Sequence, residues 1–303
     1  MTAEAAIDRG WPTLRYGTLL ARAGRSRRAG RAYARAVALR ELAAAPARRR
    51  VARARIERWC GVTGSTAIAV YVRALASEAR EEAEAAWFMG DAARLPRMFD
   101  DASRSLAVEP GSVVATLHLG SPVLGFVHLS RFLGVVGRAV GRELDDSNPM
   151  PAAKRAWGTR KEAWVRDVVG APFYGTDARA LVAARDDLGR GRSVYAAVDV
   201  PGDVVARSGT VELCGERVVL SGGMLTLARL AHAPVQLVVT VLDGGLYRHE
   251  PCPPIPPGPE DAVARAIAAQ ASDLVRRHRD QWWLWPFVVP ARDDRTAMAR
   301  RVA

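Results

Sequence analysis

Short apolar runs alternate along the chain with helical stretches, and this alternation limits the folds available to it. The runs "SVVATLHL", "VVGRAV", "SVYAAVDV", "TVELCG" and "PVQLVVTVLD" have the length and β-branched content of buried strands. Between them lie segments such as "DARALVAARDDLGRG", whose apolar residues recur at helical spacing. Strands that alternate with helices form sheets that are covered on both faces. We therefore predict an α/β fold with a central mixed sheet and helices on both faces.

The beginning of the chain differs from the remainder in charge. Residues 1–60 hold fifteen arginines and four acids, a net +11 of the formal +12 of the whole chain. Arginine recurs there every three or four residues among strong helix formers, which predicts basic helices. Residues 64–100 continue with an amphipathic helical pattern. We therefore predict a basic helical N-terminal region, residues 1–100, that packs on an α/β domain, residues 101–303, in one structural unit.

The arginines of the basic helices predicted in residues 1–60 form a face that has several interpretations. It is a solvated helix face, or it binds an anionic membrane surface, an acidic carrier protein or nucleic acid, because all three partners present negative charge. The sequence has no interleaved aromatic motif, zinc finger or phosphate loop, so we expect no nucleic-acid partner.

Composition also bears on location and cofactors. No segment offers the roughly 20 uninterrupted apolar residues of a membrane span, and charged residues interrupt the first twenty positions, where a secretion signal would have its apolar core. We therefore expect a cytoplasmic protein. The three cysteines lie far apart and outside any CxxC pattern, and the histidines lack metal-ligand spacing. We expect reduced thiols, no metal and no cofactor.

The stretch "VVATLHLGSPVLGFVHL", residues 113–129, contains two histidines in apolar surroundings. His118 follows a predicted strand, and the glycine, serine and proline after it lead into an apolar helix. A histidine at a strand end that faces a cleft has the pKa that a general base needs. The alternative is a core histidine with satisfied hydrogen bonds. For His128, on the apolar helix, we predict a core position.

Five segments follow one another between residues 111 and 285. They are "HLGSPV", "DARALVAARDDLGRGRSVYAAVDVPGD", "VELCG", "SGGMLTLARLAHAPVQLVV" and "HRDQWWLW". In this order they resemble the lysophospholipid acyltransferase superfamily, in the branch of the lipid A lauroyl and myristoyl acyltransferases. The family's counterparts are a strand ending in His-x-Gly-Asn-Trp-Glu, a helix with a Lys-Gly turn and a strand ending in Asp, a short strand, a small-residue helix with a strand, and a closing Glu-Gln-Tyr-x-Trp.

The resemblance implies a reaction. In this family a histidine removes a proton from the acceptor hydroxyl, which attacks the thioester of an acyl carrier protein or acyl-CoA. His118 matches that base and Gly120 matches the glycine two residues later, while Ser121 stands where the family has asparagine. The resemblance therefore implies an acyltransferase that uses acyl carrier protein or acyl-CoA as co-substrate. Gly120 and Ser121 would contact the substrate. Any contact with the inner membrane would be peripheral.

The family's acid is absent from its usual position. Five residues after His118 stands Val123, and Pro122 replaces the tryptophan. Three interpretations follow. Asp199 or Asp203, in "VDVPGD" at a strand end, supplies the acid from elsewhere; or the acceptor is an amine or thiol and needs a weaker base. In the third interpretation catalysis is lost, and the chain is a non-catalytic subunit that binds acyl groups or a carrier protein.

Two arginines and an aromatic cluster complete the set of candidates. Arg160 and Arg166 follow "LDDSNPMP", and their guanidinium groups suit the oxygens of a phosphate or phosphopantetheine. The alternative for both is a solvated helix face. The aromatic cluster packs the last helix, covers an acyl tunnel or enters a bilayer surface; it comprises Trp282, Trp283, Trp285 and Phe287.

Overall fold

Helices form the N-terminal part of the chain in the computed structural model, which describes residues 10–140, 150–170, 173–175, 177–200 and 208–290. They are α1 (10–14), α2 (Leu20–Ala23), α3 (Arg27–Ala44), α4 (Pro46–Cys60) and α5 (Gly64–Phe88), with a π-helical turn at Arg15–Leu19 between the first two. Local signals set their ends. The Ser26 hydroxyl accepts the Ala29 N–H at 3.2 Å and caps α3. Pro46 begins α4, and Gly61 ends it with a φ of +66°.

The central sheet has five strands in the order β2-β3-β1-β6-β7. They are β1 (Val113–Thr116), β2 (Arg138–Ala139), β3 (Val194–Ala197), β6 (Val235–Asp243) and β7 (Leu246–Pro251). β1 pairs parallel with β3 and β6, β2 pairs parallel with β3, and β7 pairs antiparallel with β6. The sheet is therefore mixed, and the predicted α/β class is confirmed.

The remaining helices connect and cover these strands. They are α6 (Pro122–Val127), which continues as a π-helical turn at His128–Phe132, α7 (Ala152–Val169), α8 (Ala178–Gly189), α9 (Gly223–Ala231) and α10 (Glu260–Arg277). Short 3-10 helices lie at Ala92–Met98 and Ser103–Ser105. None of the helices in the described ranges combines the length and the apolar character that crossing a bilayer requires.

Alternate residues of the central sheet face two different cores. Val113 and Ala115 belong to a core shared with α4, α8, α9 and α10, whereas Val114 belongs to one shared with α3, α6 and α7. Helix α5 contributes to both, through Val70 near its start and Phe88 at its end. The N-terminal helices are thus packed into the same cores as the sheet, and the division at residue 100 stays a prediction.

Two elements differ from the pattern in the sequence. The predicted strand at "TVELCG" forms as β4 (Ser208–Leu213), but it pairs with β5 (Glu216–Ser221) and β8 (Val289–Pro290) in a separate antiparallel sheet. The helical spacing of residues 262–285 predicts a last helix that runs to Trp285, whereas α10 ends at Arg277. The chain leaves the helix because Gln281 and Trp283 form backbone hydrogen bonds with the turn at Gly120 and His118.

Candidate active site

His118 and Asp199 form a hydrogen-bonded pair at one edge of the central sheet. Each lies two residues beyond the end of a strand, β1 and β3 respectively. Because these strands are parallel neighbours, their carboxyl ends meet at the same edge, where α/β folds place ligands. The distance between His118 Nδ1 and Asp199 Oδ1 is 2.8 Å. The backbone N–H of His118 also donates to Asp199 Oδ2, at 2.8 Å.

The Asp199 carboxylate is buried, with an exposed fraction of 1%. A third donor, Trp282 Nε1, lies 2.8 Å from Oδ2. Trp282 is itself fully buried and stacks on Trp59 of α4, with ring centroids 5.7 Å apart. Three donors therefore satisfy the buried carboxylate and fix its orientation. Asp203, the other predicted acid, lies outside the described residues.

The hydrogen bond to Asp199 leaves one nitrogen of His118 for a substrate. Because a carboxylate only accepts, Nδ1 carries the proton of the neutral imidazole, and in that form Nε2 keeps its lone pair. Nε2 has no hydrogen-bond partner among the described residues, and the side chain remains 33% exposed. Burial alone would lower the pKa of His118, but the charge and hydrogen bond of Asp199, followed by the charges of Glu81 and Glu78, raise it. The pair has the arrangement of a general base and its orienting acid.

Gly120 closes the turn between His118 and α6. Its φ is +66°, and a Cβ atom there would lie 2.0 Å from the backbone oxygen of Thr240, so no other residue fits. The Gly120 N–H donates to the Gln281 carbonyl at 2.9 Å, and the Ser121 N–H donates to the Thr240 carbonyl at 2.8 Å. These bonds attach the turn to the segment after α10 and to β6, so neither N–H group is free to bind a substrate oxygen. The Ser121 side chain is buried.

The two arginines that the sequence offered as phosphate ligands make other contacts. Arg160 reaches the Tyr16 carbonyl at 3.5 Å and lies over the Trp157 ring. Arg166 pairs with Glu162 one turn away, at 2.9 Å and on an exposed face. Neither shows a contact with the histidine–aspartate pair, so a phosphate role for them stays a prediction.

Two glutamates that act on His118, and the two lysines that approach these glutamates, were missed in the sequence. Glu78 and Glu81 extend from α5, and both contribute to the raised pKa of His118. Lys154 and Lys161 extend from α7 and approach these carboxylates at 3.5 Å and 4.0 Å. Only the lysines gave a signal in the sequence, because Lys154 and Lys161 are the only two lysines of the chain.

The aromatic cluster divides into a buried and an exposed part. Trp282 and Trp285 are fully buried and meet edge to face at 4.8 Å, which agrees with the packing interpretation. Trp283 lies beside His118, with ring centroids 6.0 Å apart. Phe287 is exposed and lies under the Arg48 guanidinium at 5.3 Å.

An apolar pocket lies between the sheet edge and helices α9 and α10. Asp199 and Trp282 form part of its wall. The other residues that line it are almost all aliphatic, and they include Leu117, Val198, Leu213, Met224, Ile267, Ala271 and Val275. Aliphatic walls suit a hydrocarbon chain, and the pocket adjoins the carboxylate that orients His118.

A second pair of histidines lies in the core. His128 Nδ1 and His249 Nε2 are 2.9 Å apart, and Phe99 stacks on the His128 ring at 3.7 Å. Burial above all lowers the pKa of His128 to about 4 and that of His249 to about 3, so both are neutral at pH 7. His128 is thus a core residue, as predicted. Within the described ranges, no three His, Cys, Asp or Glu residues are grouped so as to hold a metal ion.

No family model matches this chain, and no curated protein matches it. The resemblance to acyltransferases therefore depends on the sequence segments alone. Chemically, a neutral imidazole with an exposed Nε2 and a carboxylate at Nδ1 can take a proton from a bound hydroxyl, amine or thiol.

Proposed function

We propose that the protein transfers an acyl group from a thioester donor, acyl carrier protein or acyl-CoA, to a hydroxyl or amine acceptor. The observation that carries this proposal is the pair formed by His118 and Asp199. The pair holds a base whose Nε2 is open to a substrate, although the family's acid is replaced by Val123.

In the proposed reaction, Nε2 of His118 takes the proton of the acceptor hydroxyl or amine as the acceptor attacks the thioester carbonyl carbon. The tetrahedral intermediate then expels the thiolate, so the C–S bond breaks and the new ester or amide remains. The imidazolium returns its proton to the sulfur, and a free thiol leaves. Asp199 stabilises the imidazolium and keeps the proton-accepting nitrogen toward the substrate.

Direct transfer, without an acyl-enzyme, agrees with the surroundings of His118. No serine, threonine or cysteine side chain is hydrogen-bonded to its ring in the part of the chain that the structure describes. Ser121, three residues later, is buried and makes no such bond. The base is therefore free to act on the acceptor itself.

The apolar pocket beside Asp199 supports a fatty acyl donor. The cavity is only about 30 Å³, so the residues between the sheet and α10 would have to move apart to admit an acyl chain beside Leu117 and Trp282. Burial of methylene groups stabilises binding by about 0.8 kcal/mol each, so the pocket favours an acyl chain over a short polar group.

Exposed arginines near the start of α4 support an acidic carrier protein as donor. Arg48 contacts Phe287, which closely follows the segment hydrogen-bonded to His118. Arg49 and Arg50 adjoin Arg48 in the chain. The proposal includes a cytoplasmic location, where such donors occur, and at most peripheral contact with the inner membrane.

The decisive experiment measures thiol release from lauroyl-CoA with a panel of hydroxyl and amine acceptors. We expect His118→Ala to lower turnover at least ~100-fold, the usual size of a general-base contribution, without loss of folding. His232→Asn is the matched control, because His232 is exposed and asparagine tolerates its left-handed φ of 50°. Equal rates in wild type and His118→Ala would refute the role of His118.

Carrier docking has its own test. Changing Arg48, Arg49 and Arg50 to serine should slow association with acyl carrier protein at low salt, and high salt should reduce the difference, because screening weakens charge steering. Loss of sedimentation with anionic liposomes, with carrier association unchanged, would assign these arginines to a membrane surface. No change in either property would identify a solvated face.

A non-catalytic subunit that binds acyl groups or a carrier protein is the second candidate. One observation favours it: the N–H groups of Gly120 and Ser121 are already bonded to backbone carbonyls and cannot stabilise an oxyanion. Binding of an acyl carrier protein without thiol release from any donor would establish this alternative.

A further inference from the structure

A buried carboxylate from α5 lies at the start of the helix that follows His118. Glu81 is 1% exposed, and its Oε1 accepts the N–H of Val123 at 2.7 Å. Helix α6 has no side-chain cap of its own, because Ser121 at its N-cap makes no such hydrogen bond. Glu81 therefore caps this helix from another part of the chain, at the residue where the acyltransferase motif would place its acid.

The charges that face His118 come from three directions. Asp199 follows β3, Glu78 and Glu81 extend from α5, and α7 contributes the two lysines that approach these glutamates. Lys161, at 4.0 Å from Glu81 Oε2, favours the ionised carboxylate.

The next carboxylate along α5 has a different set of partners. Glu82 interacts with Arg15 at 2.9 Å and accepts hydrogen bonds from Tyr16 and Tyr33. Its charge acts on Glu81 and is matched by the Arg15 guanidinium. The carboxylates of α5 thus divide between the His118 site and a cluster that attaches the first helices to α5.

We propose that Glu81, assisted by Glu78, is a positioning residue for His118. Glu81 supplies from α5 the carboxylate charge that Val123, at the position of the motif's acid, does not provide. This inference rests on the proposed function. Asp199 sets the tautomer of the imidazole, while Glu81 stabilises the positive charge that appears when His118 takes the acceptor's proton. The site then uses two carboxylates with separate roles.

The electrostatics of the site agree with this division. The pKa of Glu81 is raised overall, because burial outweighs Lys161 and the Val123 N–H, which lower it. The interaction between Glu81 and His118 is mutual, because each shifts the pKa of the other toward its charged form. A charge in a poorly solvated site acts over a longer distance than it would in water. Glu81 can therefore influence His118 without touching its ring.

Glu81→Gln tests the inference, because glutamine keeps an oxygen for the Val123 N–H and loses the charge. The matched control is Glu84→Gln, one turn further along α5, where the carboxylate is equally buried and lies 3.5 Å from Arg27. NMR titration of the imidazole of His118 is the first measurement. We expect its midpoint to fall by about 0.5 to 1 pH unit in Glu81→Gln and to stay unchanged in Glu84→Gln.

The second measurement is the pH profile of thiol release from lauroyl-CoA. In Glu81→Gln, we expect kcat to fall by about tenfold with little change in KM, and the acidic limb to move to lower pH by the same amount as the titration. A purely structural role for Glu81 would leave both the titration and the acidic limb in place, since glutamine preserves the cap. That result would overturn the inference.

Glu78→Gln provides a second variant in case Glu81→Gln does not fold. The Glu78 side chain is 26% exposed, so the substitution is mild. We expect a smaller shift of the His118 titration in the same direction, and an unmoved midpoint would count against the α5 carboxylates. If the titrations shift but the wild type releases no thiol from any donor, the charge coupling stands and the acyltransferase function fails.

Discussion

Replacing Asp199 with asparagine exchanges a pure acceptor for a group that also donates. The Oδ2 position of Asp199 accepts two N–H groups, from the His118 backbone and the Trp282 indole, so it selects the amide oxygen of the new side chain. The amide NH2 then occupies the Oδ1 position, 2.8 Å from His118 Nδ1. Nδ1 must become an acceptor, which moves the ring proton to Nε2 and removes the base.

The two consequences of this exchange differ greatly in size. For an analogous aspartate-to-asparagine change in a histidine-based site, the wrong tautomer lowers kcat by about 10⁴, which corresponds to about 5.4 kcal/mol of transition-state stabilisation. Two of the three hydrogen bonds of Asp199 are unchanged and the third is reversed, so the free energy of unfolding should fall by only about 1–3 kcal/mol. We therefore expect Asp199→Asn to be folded and nearly inactive.

Two assays check this expectation. Thiol release from lauroyl-CoA should fall by about 10³ to 10⁴ with little change in KM, while nitrogen NMR of the His118 ring should show the proton on Nε2. Asp187→Asn, at another buried aspartate, controls for general effects of the substitution. A variant that keeps the proton on Nδ1, or that retains turnover within a factor of about ten, would refute the assigned role of Asp199.

Three further predictions concern the surroundings of the site. Gly120→Ala should lower the free energy of unfolding by more than about 3 kcal/mol in urea denaturation, because the new Cβ meets a backbone oxygen at 2.0 Å and φ is positive; a stable alanine variant would contradict this. Val123→Glu restores the acid of the motif but places it beside the buried carboxylate of Glu81. We therefore expect the free energy of unfolding to fall by several kcal/mol and kcat not to rise. Faster turnover would show that the motif geometry persists. His128 and His249 should remain neutral at pH 5 by NMR, since their pKa values are about 4 and about 3. Because the unfolded chain binds protons near pH 6.5, this pair destabilises the fold progressively as pH falls below that value, and ring protonation at pH 6 would disprove their burial.

Asp199 and Asp203 were the candidates for the missing acid because their strand end matches a family position near the site, and the structure pairs His118 with Asp199. Both residues stand just after short β-branched runs, and parallel neighbouring strands bring such positions to one edge of a sheet. The motif residue Val123 excluded an acid at the usual place and directed attention to the second strand. Parallel topology explains the pairing, whereas the choice of this strand end depended on the resemblance.

Glu81 was not predictable by the same reasoning. It lies in a helix whose pattern of alanine, glutamate and arginine is that of an ordinary packing layer. Which of its glutamates faces His118 depends on the rotation of α5 against α6, and this rotation is set by tertiary packing. The early end of α10 was missed for a similar reason, because the hydrogen bonds that redirect Gln281 and Trp283 join segments more than 150 residues apart.

The site is assembled from both regions that the charge pattern separates. Trp59 of α4 stacks on Trp282, which donates to Asp199, while Glu81 of α5 caps the helix that follows His118. Residues before position 100 therefore help to set the orientation of Asp199 and the electrostatic surroundings of His118, which both lie after it. The N-terminal helices thus have two separable properties. In the proposed function their exposed arginines meet a partner, and we expect that substituting them leaves His118 unaltered. Their buried aromatic and acidic side chains contact the candidate site itself.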